Sequence, residues 1–450
     1  SLILMYAFSD APLWNIMGNK AWETNTNFIL IAVPLFLLMG ELMLRSGMGE
    51  RMYSAVSRWI SFLPGGLIHT NIASCAIFAA CSGSSVATSA TISRVSLPTF
   101  RSRGYSERLV IGSLAAGGTL GILIPPSIGL IVYGVLVEES IGRLYLAGFI
   151  PGVMLAGMMM LMIIGAAIVF PSIAPKEPGS CWRDKFIGIF AMIPVVIIIM
   201  VVLGSIYAGW ATPTEAAAFG VSGALVLALI NNSGPAMMGG MLKKLNSSGS
   251  QTGPIAKLQE RYPVVEGQLR QSMTVNWDMI KDSILSTVRT SSMIMLIVVS
   301  AFTLSFAFAR LGISHDISQW IIGMDLSSTQ LVIVLVIFYL LLGTFMESFA
   351  MLVTTVPILA PALVATGVDL VWFGIIMVIL VEAALISPPE GINLYVLHGV
   401  RRDVQAEMAE AAGISEEVGT ITDVYIGVLP FMGVMAAMIV LLIIFPDIAL

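Results

Sequence analysis

Charge is scarce in this sequence. Asp, Glu, Lys and Arg supply 11% of its 450 residues, where a soluble domain carries about 25%. A water-soluble globular chain is thereby excluded. Cysteine is scarcer still. Cys75, Cys81 and Cys181 form no CxxC pair and no metal-ligand spacing, so a disulfide framework is excluded and free thiols are expected. His69, His315 and His398 are scattered and suggest no metal site. No HExxH, GxGD, Walker A or dinucleotide fingerprint occurs. Ser84 has no nearby base, so an intramembrane hydrolase is poorly supported and the chain is not read as an enzyme. No run alternates with the period of two of an outer-membrane barrel, and no cleavable signal peptide is visible. The net charge of −5 says little, because charge in such a chain is set loop by loop.

What is present is apolar: 57% of residues are hydrophobic and the mean hydropathy is +0.93. Apolar segments fall at 27–44, 66–103, 106–137, 143–170, 186–208, 213–231, 290–309, 327–367, 370–400 and 421–445, and a crossing takes roughly 20 residues. The fold class is an all-α polytopic membrane protein. The 28 methionines read as packing. The opening SLILMYAFSDAPLW reads as the tail of an apolar helix, so part of a first span is expected before Ser1. Segments 66–103 and 327–367 are each about twice the length of a single crossing. Each carries a small or polar interruption, CSGSSVAT (81–88) and GTFMESFA (343–350). Each is either two spans or one re-entrant hairpin.

With the 45–61 loop cytoplasmic and both long runs read as hairpins, 18 of the 22 Lys and Arg face the cytoplasm, all but Lys20, Arg94, Arg143 and Arg310. A two-span reading of 66–103 also keeps Arg101 to Arg108 inside, so charge alone leaves both open. An internal repeat favours the hairpins. An offset of 263 residues brings Pro98 onto Pro361, Gly104 onto Gly367, Gly83-Ser84-Ser85 onto Met346-Glu347-Ser348 and Pro125-Pro126 onto Pro388-Pro389. At a slightly longer offset GFIPGVM (148–154) resembles GVLPFMGVM (427–435). The first copy then enters from inside and the second from outside, an inverted-topology repeat of the kind found in secondary transporters.

In that arrangement binding sites lie at broken helices in matching positions. LIPPSIGL (123–130) and ISPPEGIN (386–393) are those positions. Proline removes a backbone donor and clashes with the preceding turn. A break at membrane depth persists only where protein or a polar cavity satisfies the freed groups. GSSVAT (83–88), with Gly118 and Thr119, offers hydroxyl and backbone oxygens for a sodium ion; small-residue helix packing is the plainer reading. Glu347, Glu382 and Glu390 are intramembrane carboxylates, each costing about 3 kcal/mol or more at mid-bilayer without a partner or cavity. Glu41 is expected to pair with Arg45, and Asn393 to brace the broken helix or reach a ligand. Arg94 is read as deep, pairing with a carboxylate, snorkelling or attracting an anion. The polar stretch 232–276 reads as a cytoplasmic linker, and 45–61 and 401–419 as interfacial helices.

The stretches ATSATISRVSLPTFRSRGYS, AAGGTLGILIPPSIGLIVYGVL, ATPTEAAAFG, GTFMESFAMLVTTVPILAPAL and ALISPPEGINLYV resemble the large membrane subunit of tripartite ATP-independent periplasmic (TRAP) transporters, over nearly the whole chain. The resemblance implies an elevator-type transporter: a mobile domain of two re-entrant hairpins and two broken helices moving against a scaffold. It implies scaffold helices and a first arm over 1–61, the first half of the transport domain over 62–137 and scaffold helices over 138–231. The linker follows over 232–276, then a scaffold helix and second arm over 277–325, and the second transport half over 326–400. An amphipathic helix and a final scaffold span complete the chain over 401–450. No cofactor is implied; sodium is the coupling ion. The first sodium site would use Gly83, Ser84, Ser85, Gly118 and Thr119. The second would use Met346, Glu347, Ser348, Glu382, Ser387 and Gly391. The substrate would meet Ser85, Pro126, Ser127, Glu347, Pro389, Glu390 and Asn393. Many relatives carry Asp-Pro at Glu347-Ser348 and an apolar residue at Glu390. The partners implied are a small four-helix membrane subunit, a soluble periplasmic binding protein and membrane lipids, with no nucleic acid. The location is a bacterial or archaeal inner membrane, and the cargo a small carboxylate or sulfonate. A stand-alone sodium–dicarboxylate symporter of the same fold is the alternative; a passive channel would need no coupled ion.

Overall fold

A computed structural model describes residues 13–246, 268–412 and 419–450, apart from 176, 178 and 180. The opening stretch before Leu13, and Lys257 and Arg261 of the expected linker, lie outside the described residues. The first half runs α1 (Leu13–Asn25), α2 (Ala32–Arg45), α3 (Met48–Ile60), α4 (Leu67–Ser82), α5 (Ser85–Arg103), α6 (Glu107–Thr119), α7 (Ile128–Val137), α8 (Ile141–Val169), α9 (Trp182–Tyr207) and α10 (Pro213–Asn246). The second runs α11 (Gln268–Arg310), α12 (Ile313–Ile322), α13 (Ser328–Leu342), α14 (Ser348–Ala365), α15 (Leu370–Ile386), α16 (Ile392–Ala412) and α17 (Ile421–Ile444). Helices α8, α9, α10, α11, α14 and α17 are long and apolar enough to cross a membrane, and α2 and α3 form a pair bent by 72°. Large apolar side chains such as Leu161, Phe190, Met200 and Leu296 face outward, as lipid-facing helices require.

The breaks follow from local chemistry. Gly83 ends α4 at φ +57°, a left-handed conformation that glycine adopts without steric cost. Ser84 then turns extended and caps α5 by accepting the Ala87 N–H. Glu347 caps α14 the same way, accepting the Ala350 N–H at 2.8 Å. Ser127 caps α7 after the first proline pair by accepting the Leu130 N–H at 3.2 Å. The matched landmarks of the repeat thus occupy matched structural roles: hairpin tip, then interruption.

The halves pack reciprocally. Helix α5 lies on α16 while its counterpart α14 lies on α7, and α6 lies on α17 while α15 lies on α8. Such an exchange is the signature of a two-fold relation. Helices α4 to α8 and α13 to α17 form one body, and α2, α3, α9, α10, α11 and α12 flank it, with α3 braced on the first hairpin and α12 on the second. Helices α8 and α17 pack on the interrupted helices. Their glycines allow the close approach: Gly427 meets the α6 backbone and Gly148 faces the Leu123 carbonyl.

Three further placements follow. Helices α10 and α11 extend into 232–276 from both sides, so the polar composition there does not end either helix. The 401–412 part of the expected interfacial helix is the continuation of α16, because nothing between Ile392 and Ala412 breaks a helix; residues 413–418 lie outside the described set. Arg94, two-thirds exposed, lies 3.9 Å from Asp403, the carboxylate pairing that was one of its expected readings. Arg401 is a buried guanidinium, 1% exposed, which donates to Glu107 on α6 at 2.7 Å and to the Thr420 carbonyl.

Candidate functional site

The first expected cluster assembles. Ser85 Oγ donates to the Thr119 carbonyl at 3.3 Å, joining the start of α5 to the end of α6. A Cβ on Gly118 would fall 1.7 Å from Ser89 Oγ and 3.2 Å from the Ser85 carbonyl, so α5 seats on α6 only because residue 118 has no side chain. A Cβ on Gly83 would lie 3.4 Å from the Pro126 carbonyl, which brings the tip over the first interruption. Gly83, Ser84, Ser85, Gly118 and Thr119 therefore form one junction of hydroxyl and carbonyl oxygens, the hard donors that a hard cation takes. Ser89, buried with its hydroxyl unpaired, belongs to this junction and was not foreseen.

The second expected cluster gathers around the end of α15. Ser348 Oγ donates to the Val381 carbonyl at 3.4 Å. The Gly391 N–H donates to the Ser387 carbonyl at 2.9 Å, and a Cβ on Gly391 would meet the Leu385 carbonyl at 2.7 Å. Met346 and Glu347 stand half-buried at the tip. Glu382 is fully buried. Its carboxylate approaches the Leu123 N–H of the first interruption but makes no hydrogen bond of full geometry. It thus reaches from the second half into the first.

The two tips meet at one cavity of about 460 Å³. Ser82 to Ala87 line it from the first hairpin, Glu347 and Phe349 from the second, Ile122 and Ile128 from the first interruption, and Leu385 and Ile392 from the second. The opposite wall is α2 and α11: Leu37, Gly40, Glu41, Leu44, Ser286, Thr290, Met293 and Ile294. Glu41 accepts hydrogen bonds from Ser286 Oγ at 2.7 Å and Arg45 Nε at 3.1 Å. The expected Glu41–Arg45 pair is present, but Glu41 also faces the cavity, which its sequence position did not foretell. Among the described residues the lining holds two carboxylates and no Lys, Arg or His. The hydroxyls at 283, 286, 287, 290 and 291 recur at helical spacing, a sequence signal for this wall of α11.

Of the expected substrate residues, Ser85 and Glu347 line the cavity. Pro126 and Ser127 are buried behind the first tip, with the Ser127 hydroxyl engaged by the Ile122 carbonyl. Asn393 is fully buried and both its amide atoms lack a partner. Pro389 and Glu390 are exposed and are not among the residues that line the cavity; Tyr395 on α16 donates to the Pro389 carbonyl at 2.8 Å and fixes the turn. Tyr425 donates in turn to Tyr395 at 3.3 Å.

The family model of the tripartite ATP-independent periplasmic transporter DctM component matches residues 1–448. The C4-dicarboxylate TRAP transporter large permease protein DctM of Vibrio cholerae is 29% identical over 412 residues, 92% of this chain and 86% of that one. The sialic acid TRAP transporter large permease protein SiaM of the same organism is 28% identical over 379 residues, 83% of this chain and 78% of that one. The crystal structure of the Alcanivorax borkumensis YdaH transporter shares the fold, with a TM-score of 0.57 at 14% identity over 96% of this chain and 87% of that one. Together with the paired interruptions meeting at one cavity, the family match gives the chain its place: it is a multi-pass membrane protein that belongs to the DctM component family of TRAP transporters.

Proposed function

We propose that this chain is the translocating subunit of a secondary importer that carries a small organic anion, a carboxylate or sulfonate, together with sodium. It takes the anion from a soluble periplasmic binding protein and works beside a small membrane subunit in the inner membrane. The observation that carries the reading is the cavity in which both hairpin tips converge, lined by Glu41 and Glu347 without a basic side chain. An anion placed about 6 Å from one such carboxylate is repelled by roughly 3 kcal/mol at an effective dielectric of 20. Cations at the two oxygen-rich junctions offset that repulsion, and the starts of α5 and α14 at the tips present helix N-termini to the anion.

The entering limb of each hairpin supports re-entrance. Helix α4 has 16 residues and α13 has 15, roughly 24 and 22 Å at 1.5 Å per residue, short of the about 30 Å hydrocarbon core. Between the hairpins run α6–α7 as one interrupted span, then α8, α9, α10 and α11. That odd number of crossings makes the second hairpin enter from the opposite face. The body of α4 to α8 and α13 to α17 is the part that would move in an elevator step against α2, α3 and α9 to α12.

Glu382→Gln is expected to raise the sodium concentration for half-maximal uptake about tenfold, equivalent to about 1.4 kcal/mol, with folded yield unchanged; a sodium titration of uptake checks it. The proposal as a whole is tested in proteoliposomes holding this chain and its small subunit. Solute uptake should require both an inward sodium gradient and the binding protein. Uptake that needs sodium but no binding protein would identify a stand-alone symporter, and uptake indifferent to sodium would overturn the coupling.

A further inference from the structure

We infer that Gly40 is a positioning residue for transport, the bare point on α2 where the tip of the first hairpin seats in one end state. This rests on the elevator reading above. A Cβ at residue 40 would lie 2.6 Å from Ser82 Cα, 2.7 Å from the Ser82 carbonyl oxygen and 3.1 Å from its carbon. These are backbone atoms, which cannot rotate aside as a side chain would. Any larger residue must therefore push the tip off α2 by about 1 Å, and close-packed interiors resist such a shift.

Small residues often serve only to bring membrane helices together, but two observations set Gly40 apart. It touches a hairpin tip rather than a helix flank, and both Gly40 and its neighbour Glu41 line the cavity that the tip also lines. The seat is also one-sided. By the repeat offset, the counterpart of Gly40 on α11 is Thr303, a buried β-branched residue whose hydroxyl donates to the Val299 carbonyl at 2.8 Å. The second tip has no matching bare point there. The first tip is docked on the flanking helices, and each cycle must lift it from Gly40 and return it.

The test uses the full-length chain carrying Cys181→Ser, which removes the exposed thiol; Cys75 and Cys81 are buried. Leu44→Cys and Ala87→Cys then place one thiol on each wall of the cavity, and a short bis-maleimide reports their proximity. Adding Gly40→Val should lower the cross-linked fraction at least fivefold and uptake at least tenfold at equal yield of monodisperse protein. Gly40→Ala should fall between, and it decides the matter if Gly40→Val does not fold. Unchanged cross-linking in the substituted proteins overturns the inference, whatever happens to uptake. Cross-linking is read without solute or a sodium gradient, so it judges the seat even if the proposed coupling fails.

Discussion

Gly427→Val should leave almost no monodisperse protein after extraction, and Gly427→Ala should destabilise the fold by about 3 kcal/mol, the upper end for added bulk in a packed interior. A Cβ at Gly427 would fall 2.2 Å from the Arg108 carbonyl oxygen, and one at Gly112 would fall 1.9 Å from the Gly427 carbonyl oxygen. Helices α6 and α17 therefore touch backbone to backbone, and each glycine makes room for the other chain. The Arg108–Asp423 ion pair at 2.9 Å closes the same end of this contact. Because α6 is half of an interrupted helix and α17 belongs to the other repeat, forcing them apart also moves the first interruption. Gel filtration and thermal unfolding in detergent check the outcome; wild-type yield and melting for Gly427→Val would contradict the close packing.

Replacing Ser84 and Ser85 together with leucine should abolish sodium-dependent uptake while expression persists. The change removes the α5 cap, worth about 1 kcal/mol, and the Ser85–Thr119 bond, but it leaves the apolar packing of α4 and α5 in place. It also deletes two hydroxyl oxygens from the first junction and puts bulk where Ser85 is buried. Ser84→Ala serves as the mild control and should keep measurable uptake with weaker sodium dependence. Normal sodium-dependent uptake in the double leucine variant would remove the first junction from the mechanism.

The interruptions were legible in sequence because their causes are local. Proline pairs, Gly83 and the serine caps act on their own turns, so the tips and breaks fall where ISPPEGIN, LIPPSIGL and GSSVAT place them. The cavity wall on α2 was not legible. Gly40 and Glu41 gain their roles from chain 42 residues or more away, Ser82 and Ser286, and no local pattern encodes such a meeting. The exposure of Glu390 is of the same kind: its place in the break is local, but the Tyr395–Pro389 hydrogen bond that holds the turn is not part of that pattern. The polarity of RRDVQAEMAEAA marked an apparent boundary at 401, yet its residues are good helix formers and α16 runs straight through.

Two hairpins entering from opposite faces would bring their tips to the one cavity that both line. Ser102 and Ala365 are exposed, stand one repeat offset apart and lie near the ends of α5 and α14. Single cysteines at these positions in intact cells should react with an impermeant maleimide from opposite sides: Ala365→Cys from outside, Ser102→Cys only after the cytoplasm is opened. Labelling of both from the same face would contradict it.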